Sequence, residues 1–132
     1  MPTLFSRIVA GEIPCYKVSE NEKFLAFLDI SPLQKGHTLI ISKQETDYIF
    51  DLEDELLAEM MVFAKSVSKK IKQNFPCKKV GVTVIGLEVP HAHIHLVPMN
   101  TANDVNFTQA KLKPSNEELE NTASAIRAKL SL

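Results

Sequence analysis

The chain has 132 residues, 45% hydrophobic and 23% charged, with a formal net charge of −1. That length suits one domain with a real core. The balanced charge excludes attachment to nucleic acid or to a membrane surface through bulk electrostatics, while small anionic ligands stay open. There is no run of about 18 apolar residues, and Arg7 and Glu12 interrupt the N-terminal apolar positions, so neither a membrane span nor a signal peptide is expected and the protein reads as cytoplasmic. Cys15 and Cys77 form no metal-type pair. They read as reduced packing residues rather than a disulfide.

Thr3 to Ala10 reads as a short helix, with Thr3 as its cap and Leu4, Phe5, Ile8 and Val9 as its apolar face. Gly11 suits the left-handed position after it. Ile13-Pro14 forces an extended segment. Cys15 to Ser19 and Lys23 to Asp29 read as two strands joined by the polar turn Glu20-Asn21-Glu22. Ser31 to Gly36 is a loop, and His37 to Ser42 a central strand. Leu52 to Phe75 is the longest helix, with Asp51 as its expected cap and Pro76 as its stop. Val80 to Ile85 and His91 to Val97 are the last strands, joined through Gly86 to Pro90. Met99 to Pro114 shows no period and is expected to be loop. Ser115 and Glu118 form a capping box that opens a helix reaching about Leu130. Helix, three strands, long helix, two strands, helix is an α+β order with an antiparallel sheet.

Three of the four histidines lie at His91, His93 and His95. On a strand, alternate residues share a face, so the three rings form a row while Ala92, Ile94 and Leu96 point into a core. Three readings of the row compete. Neighbouring imidazoles can ligate zinc, with His37 as a fourth ligand. A histidine held in one tautomer and flanked by donors can attack phosphorus and form a covalent intermediate. The third reading is a polar stripe on a half-exposed strand; half-buried polar groups then need partners.

His91-Ala92-His93-Ile94-His95-Leu96-Val97 resembles the signature of the histidine-triad (HIT) proteins. Residues 4–14, Phe27 to Pro32 and Gly36 to Ile41 resemble the nucleotide-binding branch of that family. The resemblance spans residues 1 to about 98, within a chain expected to be a single domain over residues 1–132. It implies a HIT-like fold, a five-stranded antiparallel sheet with a long helix and short terminal helices. It also implies a homodimer that binds purine nucleotides and hydrolyses phosphoramidates, or other substituted nucleotides, at the α-phosphate. No cofactor is implied. In this resemblance His93 is the nucleophile, His95 contacts the phosphate and leaving group, and His91 and His37 complete a polar network. Asp29, with Ile30 beside it, corresponds to the ribose-binding acid. Leu4, Phe5, Ile8, Ile13 and Phe27 correspond to the base pocket. The attacking imidazole must be uncharged, so activity is expected to fall on acidification towards and below about 6.5, the ordinary histidine value.

Two features depart from the family pattern. The loop before the row is Gly86-Leu87-Glu88-Val89-Pro90, where relatives carry polar residues, and there is no tryptophan. Glu88 reads either as an aid to catalysis, giving a proton or selecting amine-bearing leaving groups, or as a surface or dimer-edge glutamate. Two rival functions follow from the same residues: a non-catalytic purine nucleotide-binding protein, and a zinc protein using the histidine cluster.

Overall fold

The computed structural model describes residues 2–129. Helix α1 (Leu4–Val9) leads into strands β1 (Lys17–Glu20), β2 (Phe24–Leu28) and β3 (Thr38–Ser42). The long helix α2 (Asp54–Asn74) follows, then β4 (Lys79–Thr83), β5 (His93–Met99) and helix α3 (Asn116–Arg127). The strands form one antiparallel sheet in the order β1-β2-β3-β5-β4. This is the α+β architecture expected from the sequence.

Local chemistry sets most of the boundaries. The Thr3 hydroxyl accepts from the Ser6 amide and caps α1, and Gly11 follows the helix with φ +80°. The Asn21 side chain accepts from the amides of Lys23 and Phe24, closing the β1–β2 turn. Ser115 and Glu118 make the reciprocal capping box at the start of α3. The expected end of that helix at Leu130 lies outside the described residues.

Several boundaries differ from expectation: β1 starts at Lys17 rather than Cys15 and takes in Glu20 from the expected turn, and β5 runs past Val97 to Met99. Asp51 does not cap the long helix: it ends a 3₁₀ turn, Ile49–Asp51, and Leu52 is extended and buried in the core. The helix therefore begins at Asp54 after Glu53, which makes no side-chain cap bond. His91 precedes β5 rather than opening it. Its amide closes a turn onto the Val89 carbonyl, and the Ala92 amide bonds to the Thr46 carbonyl, so pairing with β3 starts at His93. Gly86 to Pro90 sits between β4 and this turn, and β4 ends at Thr83 rather than Ile85. The aperiodic stretch after Met99 contains a 3₁₀ turn, Ala102–Val105, capped by Thr101 and Asp104.

The sheet is covered on both faces, so β2 and β3 are buried at every position. On one face, Phe24, Ala26, Leu28, Ile40, Ile94 and Leu96 pack with Met60, Phe63, Val67 and Ile71 of α2 and with Leu119, Ala123 and Ile126 of α3. On the other, Leu25, Phe27, Leu39 and Ile41 pack against Phe5 of α1. Cross-strand pairing sets His93 opposite Ile41 and His95 opposite Leu39. The Asp29 amide bonds to the His37 carbonyl, adding one more rung beyond β2 and β3. Because side chains alternate, Asp29, His37, His93 and His95 all fall on the face turned away from α2 and α3. Gly36 shapes the entry to His37. Its φ is +97°, and a Cβ there would stand 2.7 Å from the Phe75 ring.

Candidate functional site

The four histidines are all buried, with His91 and His37 almost wholly enclosed and His93 and His95 keeping 7% and 8% of their surface. Burial removes the reading of a half-exposed polar stripe. Each ring then needs partners, and those partners fix the proton positions.

At one end, His93 Nδ1 lies 2.7 Å from the His91 carbonyl. A carbonyl only accepts, so the proton of His93 sits on Nδ1 and Nε2 keeps its lone pair. The His91 ring is pinned in turn: Nε2 donates to the Ser42 carbonyl at 2.7 Å, and Nδ1 meets the Thr3 hydroxyl at 2.8 Å. Glu45 ties this corner down, accepting from the Thr3 amide and the Ser6 hydroxyl. The Phe5 ring stands edge-on to His93, centroids 5.0 Å apart.

At the other end, the Leu33 amide donates to His37 Nδ1 at 3.0 Å. The His37 proton is therefore on Nε2, which donates to His95 Nδ1 at 2.9 Å. His95 accepts there and carries its own proton on Nε2. The two central rings thus differ: His93 presents a lone pair and His95 presents an N–H, with ring centroids 4.9 Å apart.

Burial sets the charge state. It pushes His37 down to about 3, with the nearby His95 and Lys111 acting in the same direction. It lowers His95 to about 4, helped by His93 and then Lys111. His93 is also lowered, by burial first, against the opposing effect of its bond to the His91 carbonyl. Burial therefore favours the uncharged form of all three rings. Asp29 moves the other way: burial raises its carboxyl, opposed by the Ser31 amide, Lys111 and His93. Its Oδ1 accepts from Ser31 at 2.8 Å, and Oδ2 lies 3.7 Å from His37 Nε2.

The remaining sequence-predicted residues divide. Phe5 and Phe27 are buried together, centroids 5.6 Å apart, and Ile8 packs against their cluster. Ile13 is half-buried. Leu4 and Ile30 are exposed, at 48% and 65%, so as base-pocket walls they depend on a ligand or another surface to cover them. Gly86 has φ +69°, and Glu88 is exposed.

Sequence reasoning missed Phe107 and Lys111. The Phe107 ring stands edge-on over His95 at 4.8 Å and reaches His37 at 6.1 Å. Lys111 Nζ donates to the Phe107 carbonyl at 2.8 Å and lies 5.5 Å from that ring. Phe107 is the one phenylalanine, tyrosine or tryptophan after Phe75, and that isolation was the available signal.

Asp29, His37 and His95 offer ligand atoms within 4.8 Å of one another. They do not fit a metal as arranged. The His37–His95 nitrogens share a proton at 2.9 Å, and His37 Nδ1 is occupied by the Leu33 amide. A metal would have to displace that proton and separate the rings, since zinc takes each nitrogen at about 2.0–2.1 Å in an open tetrahedron.

A profile of the HIT domain matches residues 10–102. An adenosine 5′-monophosphoramidase of Schizosaccharomyces pombe is 37% identical over 99 residues, covering 74% of this chain and 74% of that protein. The crystal structure of a Hit-like protein from Bartonella henselae, said to be involved in cell-cycle regulation, superposes with TM-score 0.83 at 27% identity, covering 98% of this chain and 96% of the other. A zinc-bound histidine-triad protein from Mycobacterium smegmatis superposes with TM-score 0.78 at 26% identity, covering 95% and 90%.

Proposed function

This chain belongs to the HIT-domain family, and we propose that it is a nucleotide hydrolase that cleaves substituted purine nucleoside monophosphates, phosphoramidates among them, through a covalent nucleotidyl-His93. The observation that carries the reading is the pair of hydrogen-bond chains that leave a lone pair on His93 Nε2 and a proton on His95 Nε2. A nucleophile and a donor stand side by side in a buried site, which is the arrangement that attack on phosphorus needs.

His93 Nε2 forms a bond to the α-phosphorus as the bond from phosphorus to the leaving group breaks. The electron pair departs with the leaving atom, which takes a proton from solvent. His95 Nε2–H donates to a phosphoryl oxygen and stabilises the charge that develops. The His91 carbonyl holds the Nδ1 proton of the ring that now carries positive charge. Water then attacks phosphorus, the nucleoside monophosphate leaves, and one proton returns to solvent. Asp29 is the acceptor for the ribose hydroxyls, and Phe5, Phe27 and Ile8 form the apolar seat for the base.

Turnover of adenosine 5′-phosphoramidate by the wild type and by His93→Ala, both in EDTA, tests this. Turnover in the wild type and a loss of roughly 10³-fold or more in the variant is the expected result for removal of a covalent nucleophile. Binding of AMP without His93-dependent turnover would make the protein a nucleotide-binding module. Activity abolished by EDTA in the wild type would return the metal reading.

The reading treats the chain as one domain, because α3 shares a core with the sheet, and as a cytoplasmic homodimer. No helix among the described residues is long and apolar enough to cross a membrane. Strand β4 lies at a sheet edge. Val82 on it and Val84, Ile85 and Leu87 after it are exposed beside Met61 and Val62 of α2. An apolar surface along an open edge strand is a docking face for a second copy. Light scattering should give twice the chain mass for the wild type and a shift towards the monomer for Val82→Glu.

A further inference from the structure

The chain after β5 returns across the His37–His95 end of the site and is tied down on either side of Phe107. The Asp104 carboxylate accepts from the amides of Asn100 and Thr101, and the Asn106 side-chain oxygen accepts from the amide and hydroxyl of Thr108. Lys111 Nζ donates to the Phe107 carbonyl, and the Leu112 amide bonds to the Pro32 carbonyl at 2.9 Å, in the loop before His37. What these bonds present is the Phe107 ring. It stands nearly perpendicular to two buried imidazoles, at 74° to His95 and 84° to His37, with centroids 4.8 Å and 6.1 Å away. Phe107 is itself half-buried, so it lies between solvent and two rings that keep only 8% and 1% of their surface.

We infer that Phe107 is a positioning residue: its ring keeps water off the His37–His95 hydrogen bond and so presents His95 to the substrate as an uncharged donor of fixed orientation. The catalytic half of this rests on the hydrolase reading above; the shielding does not. The pair needs protection because it tolerates one proton arrangement. His37 Nδ1 is occupied by the Leu33 amide, its Nε2 donates, and His95 Nδ1 must accept. A proton arriving at His95 Nδ1 would set two N–H groups face to face. The rings would then part, or His37 would give up the Leu33 amide. Water beside the pair favours that proton by solvating its charge, and it competes for the nitrogens. An apolar ring in the same place does neither. Three other titratable groups face the pair among the described residues. The Asp29 carboxylate, 3.7 Å from His37 Nε2, favours a positive charge there, while the Lys111 ammonium opposes one on both rings and His93 opposes one on His95. Burial is the leading influence on both rings.

Histidine titrations followed by NMR on the ligand-free protein read the pair directly. In the wild type the His95 ring protons should keep their neutral positions until well below pH 6.5, as burial lowers that ring to about 4. Phe107→Ala should raise the His95 midpoint by about one pH unit, a fraction of the several units that full burial imposes. Phe107→Leu keeps an apolar cover and should restore most of the shift. Lys111→Gln removes the charge but keeps the ring, and should move the midpoint less than Phe107→Ala. Turnover of adenosine 5′-phosphoramidate supplies the kinetic counterpart: kcat of Phe107→Ala relative to the wild type should be about twofold lower at pH 5 than at pH 8. A His95 midpoint unmoved by Phe107→Ala, or moved further by Lys111→Gln, overturns the inference and leaves the hydrolase reading standing. Absence of turnover in the wild type overturns the hydrolase reading and the catalytic half with it, while a raised midpoint in Phe107→Ala still supports the shield. If Phe107→Ala fails to fold, the wild type decides. A His37 Nε2 proton that exchanges slowly enough to be seen in the proton spectrum at pH 7 supports the shield, and its absence overturns it.

Discussion

The two ends of the histidine row are built from the same side chain and reach opposite chemical states. At the α1 end the backbone group touching the His93 ring is a carbonyl, from His91, and it draws the proton of His93 onto Nδ1. At the loop end the backbone group is an amide, from Leu33, and it holds the Nδ1 of His37 as an acceptor. The difference passes outward. One ring ends in a bare lone pair; at the other end His37 Nε2–H donates to His95 Nδ1, which leaves the proton of His95 on Nε2 at its tip. The choice of backbone donor or acceptor at the root decides which imidazole ends in a lone pair and which ends in an N–H. A single interruption between root and tip should therefore convert one kind of end into something closer to the other.

The largest effect of that kind is expected from His37→Leu. It removes the relay and leaves the Leu33 amide and His95 Nδ1 without their partners in a buried place. His95 is then free to carry its proton on either nitrogen, and a tip without an N–H cannot donate to the phosphate. A fall in kcat of about 10²-fold is expected, the lower end of what a positioned proton donor contributes, with KM for the nucleotide changing far less. The unpaired groups should also cost roughly 1–3 kcal/mol each in a denaturant titration. An unchanged kcat would show that His95 is not oriented through His37.

A pH profile sharpens the contrast at smaller amplitude. The proposed nucleophile works only as an uncharged ring, and burial lowers His93 below its ordinary value, with its neighbours His95 at about 4 and His37 at about 3. The acid limb of kcat/KM should therefore have its midpoint below 6.5, where a free histidine is half-protonated. Stability follows the same sign. A histidine whose folded value is depressed binds protons more readily once unfolded, so stability is complete above about 6.5 and declines as pH falls towards the folded values. A midpoint at or above 6.5 would mean that His93 is open to water in the working enzyme.

Much of this could be read from the chain, for reasons that differ by region. The alternation of His91, His93 and His95 with Ala92, Ile94 and Leu96 has the period of a strand, and period is local information. The caps at Thr3 and Ser115 are equally local. The start of β5 was misplaced by two residues because Ala92 bonds to Thr46, a partner distant in sequence. Asp51 looked like a cap until burial of Leu52 drew the chain out of the helix. Phe107 and Lys111 were invisible for a stronger reason. They sit in a stretch without period, and their meaning comes only from lying across His95 and His37.

The smallest effect separates a root made of backbone from one made of side chain. The Thr3 hydroxyl caps α1 through the Ser6 amide and meets His91 Nδ1. Thr3→Val keeps the shape and removes both contacts. Loss of the cap should cost about 1 kcal/mol, visible as a lower midpoint of thermal unfolding. Turnover should fall only a few-fold, because the group that orients His93 is the carbonyl of His91 rather than its ring, and the ring keeps its second anchor on the Ser42 carbonyl. Thr3→Ser retains the hydroxyl and should recover most of both losses. A drop in kcat as large as that of His37→Leu would mean that the side chain of His91, and not its backbone, sets the tautomer of the attacking ring.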